Sequence, residues 1–217
     1  MFGCDLSAAE LAETSKAGVN TEVLDLTDRD AASAWIAQIE WTTGGAVDVL
    51  VNNAGGVAEQ EMRPIEEVPD AEWDCIFAVN IGAAFTLSGA VAAGMKQAGS
   101  GRIINISSGA GLAPSLTGIQ AYCSAKHAVV GLTRQLAHEL GPLGITVNSV
   151  APGFVRSNAA SERQWGGYGE EGQRALLERI AMKRLGTAQD IANSVVFFAS
   201  ELPGFVNGQI LAVDGGK

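Results

Sequence analysis

Residues 47–56 read Val47-Asp48-Val49-Leu50-Val51-Asn52-Asn53-Ala54-Gly55-Gly56. The run Val47–Val51 predicts a short strand, and the small residues that follow predict a loop at its carboxyl end. Working outward, helix and strand signals alternate. Upstream, Ser7–Lys16 predicts a helix capped by Ser7 with Glu10 three residues on, and Thr21–Leu24 predicts a strand ending at Asp25. Asp28 to about Trp41 predicts a second helix, with Ala31, Trp35, Ile36 and Ile39 as its apolar stripe.

Downstream, a long helix is expected from about Asp70 to Met95, then a buried strand at Ile103–Ile106. Ala125, Val129, Leu132, Leu136 and Leu140 fall at helical steps in a segment that stops at Gly141-Pro142. Ile145–Val150 predicts a further strand, Ala188–Ser200 a helix and Ile210–Val213 a last strand. Residues 155–172, with Gly166, Gly167, Gly169 and Gly172, predict a mobile polar loop. Alternation of this kind, with strands apolar on both faces, implies one doubly wound, mostly parallel α/β sheet of Rossmann-like type covered by helices on both sides.

Composition narrows the function classes. A formal charge of −10 and a pI near 4.6 argue against nucleic acid or an anionic membrane as partner. Cys4, Cys75 and Cys123 are too few and too dispersed for a disulfide framework or a metal site. The apolar stretches are broken by Gly or Asn, so no membrane span is expected, and no signal peptide is apparent. The expectation is a cytoplasmic protein acting on a small molecule.

Four features carry chemistry. Tyr122 and Lys126 lie four apart on one helical face, where a cation lowers a phenol's pKa toward the range a general acid/base needs. An ordinary surface pair is the bland reading. Ser107-Ser108 ends a predicted parallel strand, where ligand crevices form, although a serine in a turn is the commoner case. Asn52–Gly56 allows close backbone approach by a ligand or is a plain turn. Asn80 sits inside an apolar helix and needs either a kink or a contact to explain it. His127 and His138 read as solvated helix positions. Trp35, Trp41, Trp73 and Trp165 read as packing residues, with Trp165 as a second-choice substrate contact.

In this order and spacing the segments 48–55, 79–80, 101–108, Tyr122-x-x-x-Lys126, 147–153 and 213–216 resemble the short-chain dehydrogenase/reductase family over nearly the whole chain. The resemblance implies hydride exchange between NAD and an alcohol/carbonyl pair. It makes Tyr122 the acid/base, Lys126 its pKa-lowering partner and ribose ligand, Ser108 the holder of the reacting oxygen and Asn80 part of a water relay. The loop from Ser108 to Tyr122 is one residue longer than in many relatives, which leaves Ser107 as a rival; register favours Ser108. Asp25 and Leu26 would flank the adenine, Asn52, Ala54 and Gly55 would run along the cofactor, and Pro152, Gly153 and Val155 would meet the nicotinamide. Asp5 would bind the adenosine ribose and favour NAD over NADP. Homo-oligomers, dimeric or tetrameric, are common in the family, and Ala125, Ala128 and Gly131 suit close helix contact.

The family's T-G-x-x-x-G-x-G phosphate motif does not occur in this sequence, whereas the resemblance places it about 20 residues before an acid such as Asp5. The expectation is therefore a single domain truncated at its N-terminus, without the first strand and Gly-rich loop, so that cofactor binding is impaired. Three readings stay open: Met1 stands inside a longer natural chain, the protein is a genuine short form, or it is a repurposed relative. The last gives a rival function, a non-catalytic binding or scaffold protein. A 3-oxoacyl-thioester reductase is a further alternative.

Overall fold

The computed structural model describes residues 1–217. Its elements run β1 (Phe2–Asp5), α1 (Ala8–Lys16), β2 (Asn20–Val23), α2 (Arg29–Thr43) and β3 (Val49–Asn52). Then come α3 (Asp70–Phe77), a π-helical turn (Ala78–Gly82), α4 (Ala83–Ala98), β4 (Gly101–Ile106), α5 (Gln120–Leu140) and β5 (Ile145–Pro152). The chain finishes with α6 (Ala159–Gly167), α7 (Gly169–Arg179), α8 (Ala188–Ala199) and β6 (Ile210–Val213).

Every strand pairing is parallel, and the strands form two sheets, β1-β2 and β3-β4-β5-β6. No ladder joins β1 to β3, although Cys4 and Asp5 face Val51 and Asn53 across one cleft. The free edge of β3 leaves Val49 and Val51 part-exposed. β4 and β5 are covered on both faces, so apolar residues such as Ile103, Ile104, Val147 and Val150 are buried on both sides, and Asn105, Asn148 and Ser149 are buried among them. On one face Ile103 and Val147 pack with Ile36, Leu87, Val91 and Ala137 from α2, α4 and α5. On the other, Ile104 and Val150 meet Phe198 of α8. Burying a side chain the size of Phe198 contributes about 2–3 kcal/mol.

Local signals explain most boundaries. Ser7 Oγ accepts from Glu10 N, and Asp28 Oδ1 accepts from Ala31 N, so both residues cap the helices that follow them. Thr187 and Asp190 form a reciprocal box at the start of α8.

The segment 155–172 departs from the sequence expectation: it holds α6 and the start of α7 rather than a mobile loop. Asn158 and Ser161 form a reciprocal capping box that starts α6. The glycines that suggested mobility sit at the helix ends, and Gly169, with φ +61°, makes the break between the two helices. Trp41 is 86% exposed rather than packed. Ala125 is buried within its own chain beside Ile76, so only Ala128 and Gly131 of that trio face outward. The continuous helical stretch Asp70–Ala98 is, contrary to expectation, as long and apolar as a membrane-crossing helix. In this fold its residues Ile76, Leu87, Val91 and Met95 are buried inside the protein.

A polar chain crosses the interior beneath the strand ends. Ser88 and Asn105 accept from Asn52 Nδ2, Asn105 Nδ2 donates to Thr133 Oγ1, and Thr133 donates to the Val129 carbonyl. It ties β3, β4, α4 and α5 together where β3 opens into the Asn53–Gly56 loop. Thr133→Val keeps the shape but leaves a buried amide hydrogen of Asn105 without a partner. Urea unfolding is expected to report a loss of about 1–2 kcal/mol; an unchanged midpoint would show that the chain contributes nothing.

Candidate active site

The carboxyl ends of β3, β4 and β5 carry the sequence-predicted residues to one edge of the sheet. Asn80 comes from the π-helical turn, where the helix widens by one residue and turns its amide toward the loop after β3. Asn80 Nδ2 donates to the carbonyls of Gly56 (2.8 Å) and Ile76 (2.8 Å), and its Oδ1 accepts from Gly56 N (3.0 Å). The side chain thus pairs with the Gly56 backbone as a neighbouring strand would. This answers the question posed by a mid-helix Asn with both a bulge and a contact. Its side chain is occupied by backbone groups rather than by Lys126.

Gly55 fits this arrangement only without a side chain. A Cβ there would stand 2.5 Å from Asn80 Oδ1 and 3.2 Å from Lys126 Nζ, and φ is +149°. A second glycine, Gly111, lets the turn after β4 approach α5, because its Cβ would meet Ser107 Oγ at 2.5 Å and the Lys126 carbonyl at 2.7 Å. Sequence reasoning missed Gly111 and the special backbone of Gly55. The signal available was only glycine density in Asn53–Gly56 and Ser107–Gly111.

Tyr122 and Lys126 do share a helical face, with Nζ 5.8 Å from the ring centre. Lys126 is buried, donates to the Ile106 carbonyl (2.9 Å) and is pushed down to about 8 by that burial. The Tyr122 phenol is raised by burial, offset in part by its hydrogen bond with Ser108. This reverses the expected sign: desolvation dominates, and Lys126 is itself drawn toward its neutral form with its head on Ile106. The two serines separate cleanly. Ser108 reaches Tyr122 and accepts from Ala110 N (3.1 Å), whereas Ser107 Oγ is buried against the Lys126 carbonyl.

Next to these residues lies a cleft of about 790 Å³. Asp5, Asp25 and Leu26 line one end; Ala54, Gly55, Pro152 and Val155 line the rest. Four expected cofactor contacts are not among its lining residues: Asn52 is buried in the polar chain below, Gly153 packs on Asp214, where a Cβ would be 2.9 Å from its Cα, and Tyr122 and Lys126 stand outside the lining. Asn53, part of the loop read as open to a ligand, lines the cleft, and the α8 residues Ile191 and Val195 do so without having been anticipated. Thr27 N and Oγ1 both donate to Asp25 Oδ1, which holds that carboxyl below its usual range. Cys4, on the same wall, is pushed up to about 11 by burial and by Asp5 and Glu22, which keeps it a thiol near neutral pH.

A dinucleotide's adenosine and nicotinamide-ribose ends suit this lining. Acids at one end match ribose hydroxyls, and the Asn53–Gly55 loop borders the same cleft, with no Gly55 side chain projecting from it. Its diphosphate meets no lysine or arginine among the residues that line the cleft.

A titration tests the buried ammonium. Its folded pKa lies below the ordinary 10.5, so between about 8 and 10.5 the unfolded chain holds the extra proton and stability rises with pH through that window. NMR of labelled lysines is expected to show one titration near 8 that disappears in Lys126→Met; titration of every lysine above 10 would contradict the assignment.

Comparison with known proteins shows what the chain is similar to. The family model described as enoyl-(acyl carrier protein) reductase matches residues 4–217. The (2S)-((R)-hydroxy(phenyl)methyl)succinyl-CoA dehydrogenase subunit BbsD of Thauera aromatica is 43% identical over 173 residues, 80% of this chain and 66% of that protein. The 3-oxoacyl-(acyl-carrier-protein) reductase FabG of Haemophilus influenzae is 37% identical over 194 residues, 89% of this chain and 76% of its own. Among solved structures, a putative NAD(P)-dependent gluconate 5-dehydrogenase from Beutenbergia cavernae, with NADP bound at low occupancy, superposes with a TM-score of 0.85 at 37% identity. That match covers 99% of this chain and 84% of the other.

Proposed function

The chain belongs to the short-chain dehydrogenase/reductase family of oxidoreductases, and from that premise we propose that it interconverts a secondary alcohol and its carbonyl at Tyr122. The observation that carries the proposal is the meeting of Ser108, Tyr122, Lys126 and Asn80 around Gly55 and the end of β4.

In this reading the Tyr122 hydroxyl gives its proton to the carbonyl oxygen during reduction and takes it back during oxidation. Ser108, whose side chain offsets part of the rise in the Tyr122 pKa, holds the same oxygen and keeps it in line with the phenol. Lys126 lies near enough to favour the phenolate once charged, and its depressed pKa lets it exchange a proton near neutral pH. Asn80 acts through the backbone, fixing the Gly55–Gly56 loop that borders the cleft. A nicotinamide cofactor bound in the cleft supplies or accepts the hydride. Asp5, Asp25 and Leu26 would hold its adenosine end, and Lys126, Pro152 and Val155 its nicotinamide end.

NAD is the proposed cofactor in preference to NADP, because Asp5, Glu10 and Asp25 line the adenosine end and would repel a 2′-phosphate. The similarity to a 3-oxoacyl-(acyl-carrier-protein) reductase supports a thioester substrate as the second reading.

Single-turnover reduction of ketones, followed by loss of NADH absorbance, tests the roles. Tyr122→Phe is expected to fold with an unchanged melting temperature and to lose at least about 100-fold in rate. Wild-type turnover in Tyr122→Phe would overturn the assignment of the acid. Failure of the wild-type chain to bind NADH at millimolar concentration would favour a non-catalytic scaffold.

A further inference from the structure

Two residues beyond the end of β5, Phe154 begins a three-ring cluster with Trp165 and Tyr168 of the α6–α7 turn. The ring centres are 5.9 Å apart for Phe154–Trp165, 5.9 Å for Phe154–Tyr168 and 6.5 Å for Trp165–Tyr168. All three side chains are half-buried, so each keeps ring surface open to a ligand.

The polar groups around the rings are taken up locally. Gln164 Nε2 donates to the Tyr168 hydroxyl (2.6 Å), and Gln173 Nε2 donates to the Trp165 carbonyl. Arg156 stands 5.8 Å from the Trp165 ring centre, but its Nε and Nη2 are bound by the Glu162 carboxylate at 3.0, 3.0 and 2.7 Å. The cation that touches the cluster is therefore neutralised, and a substrate carboxylate would meet Glu162 before it met a free charge.

The segment that carries the cluster leaves the sheet beside the cleft, where Pro152, Val155, Ser157 and Asn158 line it and the rings stand beyond them. A Cβ on Gly109 would stand 3.6 Å from the Pro152 carbonyl, so the Ser108-Gly109 turn and the end of β5 adjoin. Val155, next to Phe154, pairs with Gly186 and lines the cleft, as do Ser157 and Asn158 at the start of α6.

We infer that Phe154, Trp165 and Tyr168 bind the body of the substrate, and that this substrate is an uncharged secondary alcohol or ketone bearing a flat apolar ring. The inference rests on Tyr122 being the reacting group. It takes the substrate class away from polyhydroxy acids, whose hydroxyls and carboxylate would find ring faces and a spent guanidinium. Flat rings gain most from such a wall because stacked and edge-on aromatic pairs add to the area they bury.

Saturation-transfer NMR on the full chain, with 1-phenylethanol and gluconate as probes, tests it. The expected result is transfer to the phenyl protons and none to gluconate, with affinity for 1-phenylethanol falling about tenfold in Trp165→Leu and in Phe154→Ala. Two variants on different elements guard against one that fails to fold. Equal binding by wild type and both folded variants would overturn the inference, leaving the rings as a clasp between α6 and α7. Turnover of gluconate or an acyl thioester without phenyl binding would also overturn it while preserving the oxidoreductase reading. Phenyl binding that depends on Trp165, in a chain that turns over no alcohol, would preserve the ring wall and sink the chemistry instead.

Discussion

The amide of Asn80 paired to the backbone of Gly56 is the contact on which the site depends. It links a helix on one side of the sheet to the loop that leaves β3, and it needs two local departures from regular structure. One is the π-helical turn Ala78–Gly82, which swings Asn80 out of the helical register. The other is Gly55, whose backbone at φ +149° and missing Cβ leave room for Asn80 Oδ1 and Lys126 Nζ to converge. Each departure is unfavourable alone; together they satisfy every hydrogen-bonding group of a buried side chain except one amide lone pair. The loop is thereby fixed by backbone pairing, and the ammonium of Lys126 has a defined neighbour as well as the Ile106 carbonyl.

Beneath that contact the parallel sheet sets the spacing. Adjacent strands β4 and β5 align Ile106 with Val150, so Ser108 and Pro152 emerge side by side. The polar chain through Asn52, Asn105 and Thr133 holds β3 in register with them. Burial at this edge then controls ionisation. It raises the Tyr122 phenol and lowers the Lys126 ammonium, which brings both groups nearer their uncharged forms. On the far wall, Asp5 and Asp25 are exposed and stabilised by neighbouring N–H and O–H groups. The cleft is therefore acidic at one end and apolar at the other, an asymmetry that suits an elongated ligand with distinct ends.

Much of this was legible in the sequence because it rests on local rules. Alternating helix and strand signals specify parallel strands, and the four-residue step from Tyr122 to Lys126 survives folding as a shared helical face. Asn80 was visible as an anomaly, a polar residue where periodicity calls for an apolar one, although nothing local revealed a π-helical turn. Other properties are tertiary and were out of reach. The direction of the Tyr122 shift depends on how deeply α5 packs, and Asn52 lies below the cleft because β4 offers Asn105 as a partner. The segment 155–172 misled because its glycines fall at helix ends, while the rings that order it come from Phe154, Trp165 and Tyr168 together. Trp41 shows the opposite error, a large apolar residue left on the surface.

The central claim is that a glycine at position 55 lets Asn80 and Lys126 shape a nicotinamide-binding edge. The most direct measurement is the dissociation constant for NADH, from its fluorescence, in the wild-type chain and in Gly55→Ala, with circular dichroism recorded on both. The account predicts saturable binding by the wild type and at least about tenfold weaker binding by Gly55→Ala at unchanged helix content. Equal affinity in the two proteins, or no binding by either, would contradict it.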